Sequence, residues 1–396
     1  MPEPAVDRSL TGLTDAALDR LDAELVDVRR DLHAHPERSW HEERTTTLVA
    51  DRLAAAGVRT RPLADTGLVA DLGPEHGPVV VLRADLDALP VDDLTDDPWR
   101  STTPGTAHAC GHDVHTTGLL GAGLALASVG DRLPGRVRLV FQPAEEVMPG
   151  GALRAIEAGV LEDAHSIYML HCDPTVDLGS VGLREGPITG AADFLSVTLT
   201  GGGGHTSRPH LTQDLTFALG KLVTELPAAL SRRLDPRAGA SLVWGVVRAG
   251  AAANVIPAGG LVEGTVRMLD AQAWSEAESL VRTLVDQILA PYGVHAEVGY
   301  VRGVPPVVND PACTTLLAAV AADLLGPEQV QSTAQSLGGE DFAWYLEQVP
   351  GAMARLGTRT PGGPTYDLHQ GNLRVDERAV GVGARLLARL AIAALV

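Results

Sequence analysis

FLSVTLTG, residues 194–201, alternates apolar and polar side chains with the period of two that marks a strand with one buried face. What surrounds it decides the fold. On its C-terminal side, DLTFALGKLVTELPAALSRRL (214–234) has helical spacing despite Pro227. SLVWGVVR (241–248) and GLVEGTVRML (260–269) read as strands, AWSEAESLVRTLVDQILA (273–290) as a helix and VHAEVGYVRG (294–303) as a closing strand. The order β-α-β-β-α-β is that of a ferredoxin-like unit, which can form a compact domain by itself.

On its N-terminal side the rhythm differs. Helices are expected over 13–35, ending at Pro36, and over 42–57, closed by Gly57. Short apolar runs then follow: GLVADLG (67–73), VVVLRADLDALP (79–90), VRLVFQPAEE (137–146) and SIYMLHCD (166–173), with a helix at GGALRAIEAG (150–159). Strands alternating with helices predict a largely parallel α/β sheet with helices on both faces. After Pro305-Pro306 that pattern resumes in helices at 312–326 and 376–396. The expected organisation is an α/β domain formed by 1–189 and 303–396, interrupted by a ferredoxin-like insert at 190–302.

The 396 residues are 45% hydrophobic, enough for a full interior, and carry a net charge of −19. That charge disfavours nucleic acid, whose phosphates need clustered Lys and Arg. No apolar run is long enough to span a bilayer, and MPEPAVDRSL lacks the basic and apolar regions of a secretory signal. Cys110, Cys172 and Cys313 are too few for a disulfide framework and suit a reducing cytoplasm.

HACGHDVHTTGLLGAG (108–123) packs three histidines and a cysteine into eight residues before an apolar helix expected to start near His115. Cys110 and His112 are two apart. On a helix they would point to nearly opposite sides, so they can share a metal only if the backbone turns at Gly111. Thiolate and imidazole suit zinc, and added carboxylates admit manganese and other first-row ions. The apolar runs end in Asp85 and Asp87, in Glu145 and Glu146, and in His171, and ligands collect beyond the carboxyl ends of strands in an open α/β sheet. The adjacent glutamates suit two jobs, Glu146 as a metal ligand and Glu145 as general base toward water. His369 in PTYDLHQGN, just before the last helix, is a candidate final ligand. Singly, each has a plain alternative: a small buried cysteine, loop histidines, a solvated glutamate turn. The glycines of GLLGAG suit close helix packing, and GGGG (201–204) lacks the Lys-Ser or Lys-Thr of a phosphate loop.

The motifs LHAHPE, RADLDALP, HACGHDVH, QPAEE, GGGGHTSRPH, NVIP followed by GTVR, GGEDFA and the late LH occur in order from about His33 onward. Together the chain resembles the metallo-amidohydrolases and carboxypeptidase-like zinc peptidases related to aminoacylase. It is most similar to the subfamily of hippurate hydrolases, auxin-conjugate hydrolases and N-acyl-amino-acid amidohydrolases. The resemblance implies two divalent metal ions per subunit, zinc or manganese with cobalt or nickel as alternatives, held by Cys110, His112, Glu146, His171 and His369. It places Glu145 as the catalytic glutamate, His205 of the insert as donor to the developing oxyanion, and Asn254 and Arg267 at the substrate carboxylate. It also implies a lid that dimerises and a small N-acyl amino acid as substrate, with a dipeptidase or carboxypeptidase as the alternative. The wider family has a ligating histidine at Asp85, so Asp87 is expected to steady an imidazole or the loop and not to bind metal. LHQGNLRVDE lacks the subfamily's usual Ser-Pro pair and aromatic, and GGGGHTSRPH lacks its commoner Ala-Ala.

Overall fold

The computed structural model describes residues 8–396; the opening MPEPAVD, read above for a signal, lies outside them. The chain begins with α1 (Arg8–Ala34), α2 (Glu43–Ala55), β1 (Thr60–Pro62), β2 (Leu68–Leu72), β3 (Val79–Asp85) and α3 (His112–Ala127). It continues through β4 (Arg136–Gln142), α4 (Ala152–Glu157), β5 (Ala164–Asp177), β6 (Val181–Leu183) and β7 (Gly186–Pro187). Next come β8 (Ala191–Thr200), β9 (Gly204–His205), α5 (Leu215–Arg233), β10 (Ser241–Ala249), β11 (Val255–Ile256), β12 (Gly259–Met268), α6 (Ala271–Leu289) and β13 (His295–Val304). The last stretch holds β14 (Val308–Asn309), α7 (Pro311–Leu325), β15 (Val330–Ser332), α8 (Ala343–Leu346), β16 (Gly351–Arg359) and α9 (Arg378–Ala394).

The chain divides into two compact units. One runs to Ile188 and resumes at Val308–Ala334 and Trp344–Val396; the other is Thr189–Val307 with Gln335–Ala343. The second piece corrects the expected boundaries, which left all of 303–396 to the α/β domain. Hydrogen bonds explain it: Gln335 Nε2 donates to the carbonyls of Thr189 and Leu269, both at 2.9 Å, and the Gly190 amide donates to Gly338 at 3.0 Å.

The first unit carries an eight-stranded sheet in the order β1-β2-β4-β3-β5-β16-β6-β15. Its centre, β4-β3-β5-β16, is parallel, and antiparallel pairing appears at β1–β2, β2–β4 and β16–β6. All seven residues of β3 are buried, as a central parallel strand requires. α3 is buried almost all round and packs with α1 and α9. Its glycines let neighbours come close: a β-carbon on Gly121 would lie 2.7 Å from Leu25 Cδ1 of α1 and 3.1 Å from Ala384 Cβ of α9, and one on Gly123 2.5 Å from Leu139 Cδ1 of β4.

The second unit is a four-stranded antiparallel sheet in the order β10-β12-β8-β13, covered by α5 and α6, which is the ferredoxin-like arrangement. In β8, Leu195, Val197 and Leu199 are buried while Phe194, Thr198 and Thr200 are exposed, so the alternation does set the face. Asp214 and Asp270 cap the two helices by accepting the amides of Phe217 and Ala273. No helix among the described residues is long and apolar enough to cross a membrane.

Candidate metal centre and active site

Parallel pairing puts three functional strands in step. Asp85 of β3 lies opposite Gln142 of β4, and Arg83 opposite Met169, so the register brings Asp85 level with His171 of β5. His171 is not a strand end as expected; β5 continues to Asp177, and His171 pairs in register with Arg355 of β16.

The histidine-rich stretch meets these strands through its turn. α3 begins at His112 and not near His115, and Gly111 before it is left-handed at φ 84°. A residue with a side chain rarely adopts that conformation. The turn lets Cys110, outside the helix, and His112, its first residue, reach one cluster. The three histidines then have three fates. His112 joins the cluster. His115 Nδ1 bonds Asp85 Oδ1 at 2.6 Å, and its Nε2 accepts the Cys172 amide at 2.8 Å. His108 is buried with neither ring nitrogen hydrogen-bonded, and burial pushes it down to about 4.

The donors form overlapping groups whose ligand atoms lie within 4.8 Å of one another: Cys110, His112 and His171; Cys110, Glu146 and His369; His112, Glu145 and Glu146. Cys110 Sγ is 3.7 Å from His171 Nε2, and Glu146 Oε1 is 3.7 Å from His112 Nε2 and 3.4 Å from His369 Nε2. His369 is set beside Cys110 by its amide, which donates to Ala109 O at 2.7 Å, with φ at 63°. His171 Nδ1 donates to Cys172 O, which leaves Nε2 for the cluster.

These residues fit metal ions. Both nitrogens of His112 and Glu146 Oε1 are buried without a hydrogen-bond partner, a costly state for polar atoms unless something binds them. Electrostatics agree. Burial opposes charging His112, yet Asp85, Asp87 and Glu146 outweigh it and push the ring up to about 10. Burial and the neighbouring carboxylates Glu146, Glu145 and Asp85 hold the Cys110 thiol well above its ordinary range. A site that favours a proton on imidazole and on thiol is a site of negative potential, and a divalent cation answers it.

Asp85 and Asp87 stand behind the donors. Arg83 Nη1 donates to Asp85 Oδ2 at 2.7 Å while His115 takes the other oxygen, so Asp85 is already occupied by a guanidinium. Asp87 Oδ1 lies 3.4 Å from His112 Nδ1 and accepts the Glu145 amide at 3.0 Å. Its Oδ2 accepts the Glu146 amide at 2.9 Å and the Ser39 hydroxyl at 2.6 Å. Arg83, His115, Ser39 and Glu42 were not singled out from sequence. Arg83 and Asp85 did carry a signal, since charges at alternate positions inside an apolar strand share one face.

The inserted unit holds the other candidates, in two places. His205 is exposed on β9, paired with Val255 of β11, and Thr206 N donates to Asn254 O at 3.3 Å. Ser207 donates to His205 Nδ1 from its amide at 3.1 Å and its hydroxyl lies 2.9 Å from the same atom, which leaves Nε2 to carry the proton. Arg267 pairs with Ala192 at the opposite end of β12 from Gly259, and its Nη1 donates to Leu337 O. Eight residues of strand, about 26 Å, separate Arg267 from the end where the His205 ladder begins.

A thiol, imidazole and carboxylate cluster with a second glutamate at its edge is the donor set expected of a metal-dependent hydrolase of amides or peptides. The profile of Peptidase family M20/M25/M40 matches residues 81–393, and the chain belongs to that family. It is 39% identical over 92% of its length to the N-acetyl-L-cysteine deacetylase of Bacillus subtilis, covering 86% of that protein. It is 50% identical over 92% of its length to a Rhodococcus jostii protein provisionally named glutamate–cysteine ligase 2-3, but spans only 46% of that relative. A crystal structure of a dinuclear metal-binding peptidase of the M20 family from Bacillus subtilis is similar with a TM-score of 0.82. The two are 33% identical, covering 95% of this chain and 99% of the other.

Proposed function

We propose that the protein hydrolyses the amide bond of N-acyl amino acids, giving a carboxylic acid and a free amino acid. The observation that carries this reading is the Glu145–Glu146 pair, one carboxylate within the donor cluster and the other at its edge, 4.0 Å from His112 Nε2. Cys110, His112, Glu146, His171 and His369 would hold two divalent first-row ions, zinc or manganese, which when bound polarise a carbonyl and make water more acidic. Glu145 takes a proton from the attacking water and delivers it to the leaving nitrogen as the C–N bond breaks and the new C–O bond stays. His205 Nε2–H donates to the carbonyl oxygen as charge builds there, and Asn254 lies beside it. Arg267 holds the free carboxylate through its guanidinium. One small substrate cannot span the length of β12, so these roles fall to the inserts of two copies, in keeping with a homodimer through that unit. The buried free thiols Cys110, Cys172 and Cys313 suit a reducing compartment.

The relative named for deacetylation makes N-acetyl-L-cysteine the first substrate to assay, with N-benzoylglycine and free dipeptides beside it. Chelated protein is expected to be inactive, and zinc or manganese to restore release of the amino acid. Faster cleavage of dipeptides than of N-acyl amino acids replaces this reading with a peptidase, and full activity after exhaustive chelation removes it.

A further inference from the structure

Three consecutive amides at the catalytic turn end on carboxylates from distant parts of the sequence. Asp87 accepts those of Glu145 and Glu146, and Glu42, just before α2, accepts that of Ala144 through Oε1 at 2.8 Å. Ala144 sits at φ 57°, in the left-handed region, where a residue with a β-carbon is strained. The turn cannot rest there without being held. Glu42 is fully buried, and its other oxygen accepts the Thr66 hydroxyl at 2.5 Å. Burial, with Asp87 facing it, pushes its carboxyl up to about 7 against the pull of Thr66 and the Ala144 amide. Apolar packing alone gives no reason to keep a carboxyl in such a place.

We propose that Glu42 is a positioning residue: by holding the Ala144 amide it fixes the strained turn that aims Glu145 at the reacting atoms while Glu146 stays among the metal donors. It touches neither substrate nor metal. Without that acceptor the Ala144 amide is left buried and unpaired, the backbone relaxes toward negative φ, and the Glu145 carboxylate turns away from its line of attack. The inference rests on the proposed role of Glu145, but the clamp itself can be read without catalysis.

The test compares Glu42→Ala, Glu42→Gln and Thr66→Val in metal-loaded protein. It uses hydrogen–deuterium exchange over residues 140–150, metal content, and kcat and KM for N-acetyl-L-cysteine or whichever N-acyl amino acid the wild type cleaves. Glutamine keeps an acceptor for the Ala144 amide and presents an N–H to Thr66, whose hydroxyl can turn to accept it, so Glu42→Gln should stay within about threefold of wild type in both exchange and kcat. Glu42→Ala should exchange this stretch about tenfold faster or more and lose about 10–100-fold in kcat, with KM and metal content little changed. Thr66→Val removes only the remote partner and should resemble Glu42→Gln. Unchanged exchange in Glu42→Ala overturns the clamp. Raised exchange with unchanged kcat overturns its role in positioning, and equal kcat losses in all three variants assign Glu42 to fold stability alone. If the wild type cleaves no N-acyl amino acid, the proposed function fails while the exchange result still decides the clamp.

Discussion

Adjacent glutamates with nearly the same burial are given different surroundings by a single turn. Glu146 Oε1 lies among imidazoles and is buried without a hydrogen bond, whereas Glu145 Oε2 stands 4.0 Å from His112 Nε2. Glu145→Gln preserves shape but removes the proton acceptor, so metal content should persist while kcat falls by about 10²–10⁴-fold. Glu146→Gln should instead lower metal retention on dialysis; the reverse pattern exchanges the two roles. Glu42 adds a dependence on pH. Its folded pKa, about 7, lies above the ordinary 4.5 because burial disfavours the charge, so it stabilises the fold least when ionised. That relative stability is present at low pH and lost as pH rises through 7. Glu42→Gln does not titrate and should gain on wild type, by on the order of 2–3 kcal/mol between pH 5 and 8, seen as a widening gap in Tm. A gap that narrows with pH means that the ionised carboxylate is the favoured form. At this scale the sequence showed the chemically reactive residues, because Cys, His and paired Glu announce themselves by type. It did not show Glu42, which acts through another residue's backbone, or that His108 and His115 leave the cluster to His112.

The element that aims the donors is the junction before α3. Period and composition marked the helix but placed its start one turn late, because propensity says nothing of a left-handed cap that only Gly111 supports. A β-carbon there would add to the strain of φ 84° and fall 2.8 Å from Cys172 Sγ. Gly111→Ala should therefore displace Cys110 from His112 and weaken metal retention. Gly121→Ala, in the middle of the same helix, meets Leu25 and Ala384 and should cost about 1–3 kcal/mol of stability with metal content unchanged. Dialysis followed by metal analysis, with Tm on the same samples, separates the two; similar metal loss in both variants means that the helix as a whole, not its cap, sets the site. Elsewhere, GAMARLGTR is the central strand β16 and went unread, since Gly, Ala, Met and Arg carry little strand preference and a strand buried on both faces shows no alternation. The same absence of pattern hid the continuation of β5 beyond His171.

Across the whole chain, the switch from mixed helices and parallel strands to a β-α-β-β-α-β run was legible because each kind of element has its own period. The return of 335–343 to the inserted unit was not, since it depends on hydrogen bonds from the Gln335 side chain and to the Gly338 carbonyl that no periodicity encodes. The insert also separates two residues that the motifs alone set side by side. NVIP and GTVR are seven residues apart in sequence, but most of that interval is strand, so Arg267 lies at the far end of β12 from the segment bearing His205 and Asn254. If both ends act on one substrate, each reaction needs inserts from two copies. Arg267→Ala and His205→Ala should each be nearly inactive alone, the first chiefly through weaker binding of substrates with a free carboxylate and the second through lower turnover. Mixed, unfolded and refolded together in equal amounts, they should recover activity toward about a quarter of wild type, because random pairing leaves one intact combination in half of the dimers. Recovery should grow with protein concentration; Glu145→Gln should abolish it when added to one of the two variants and leave it when added to the other, because the intact combination faces the Glu145 of only one subunit. No recovery, in mixtures shown by mass to contain the mixed dimer, means that one of the two residues does not touch the substrate, and the carboxylate preference of Arg267→Ala then tells which.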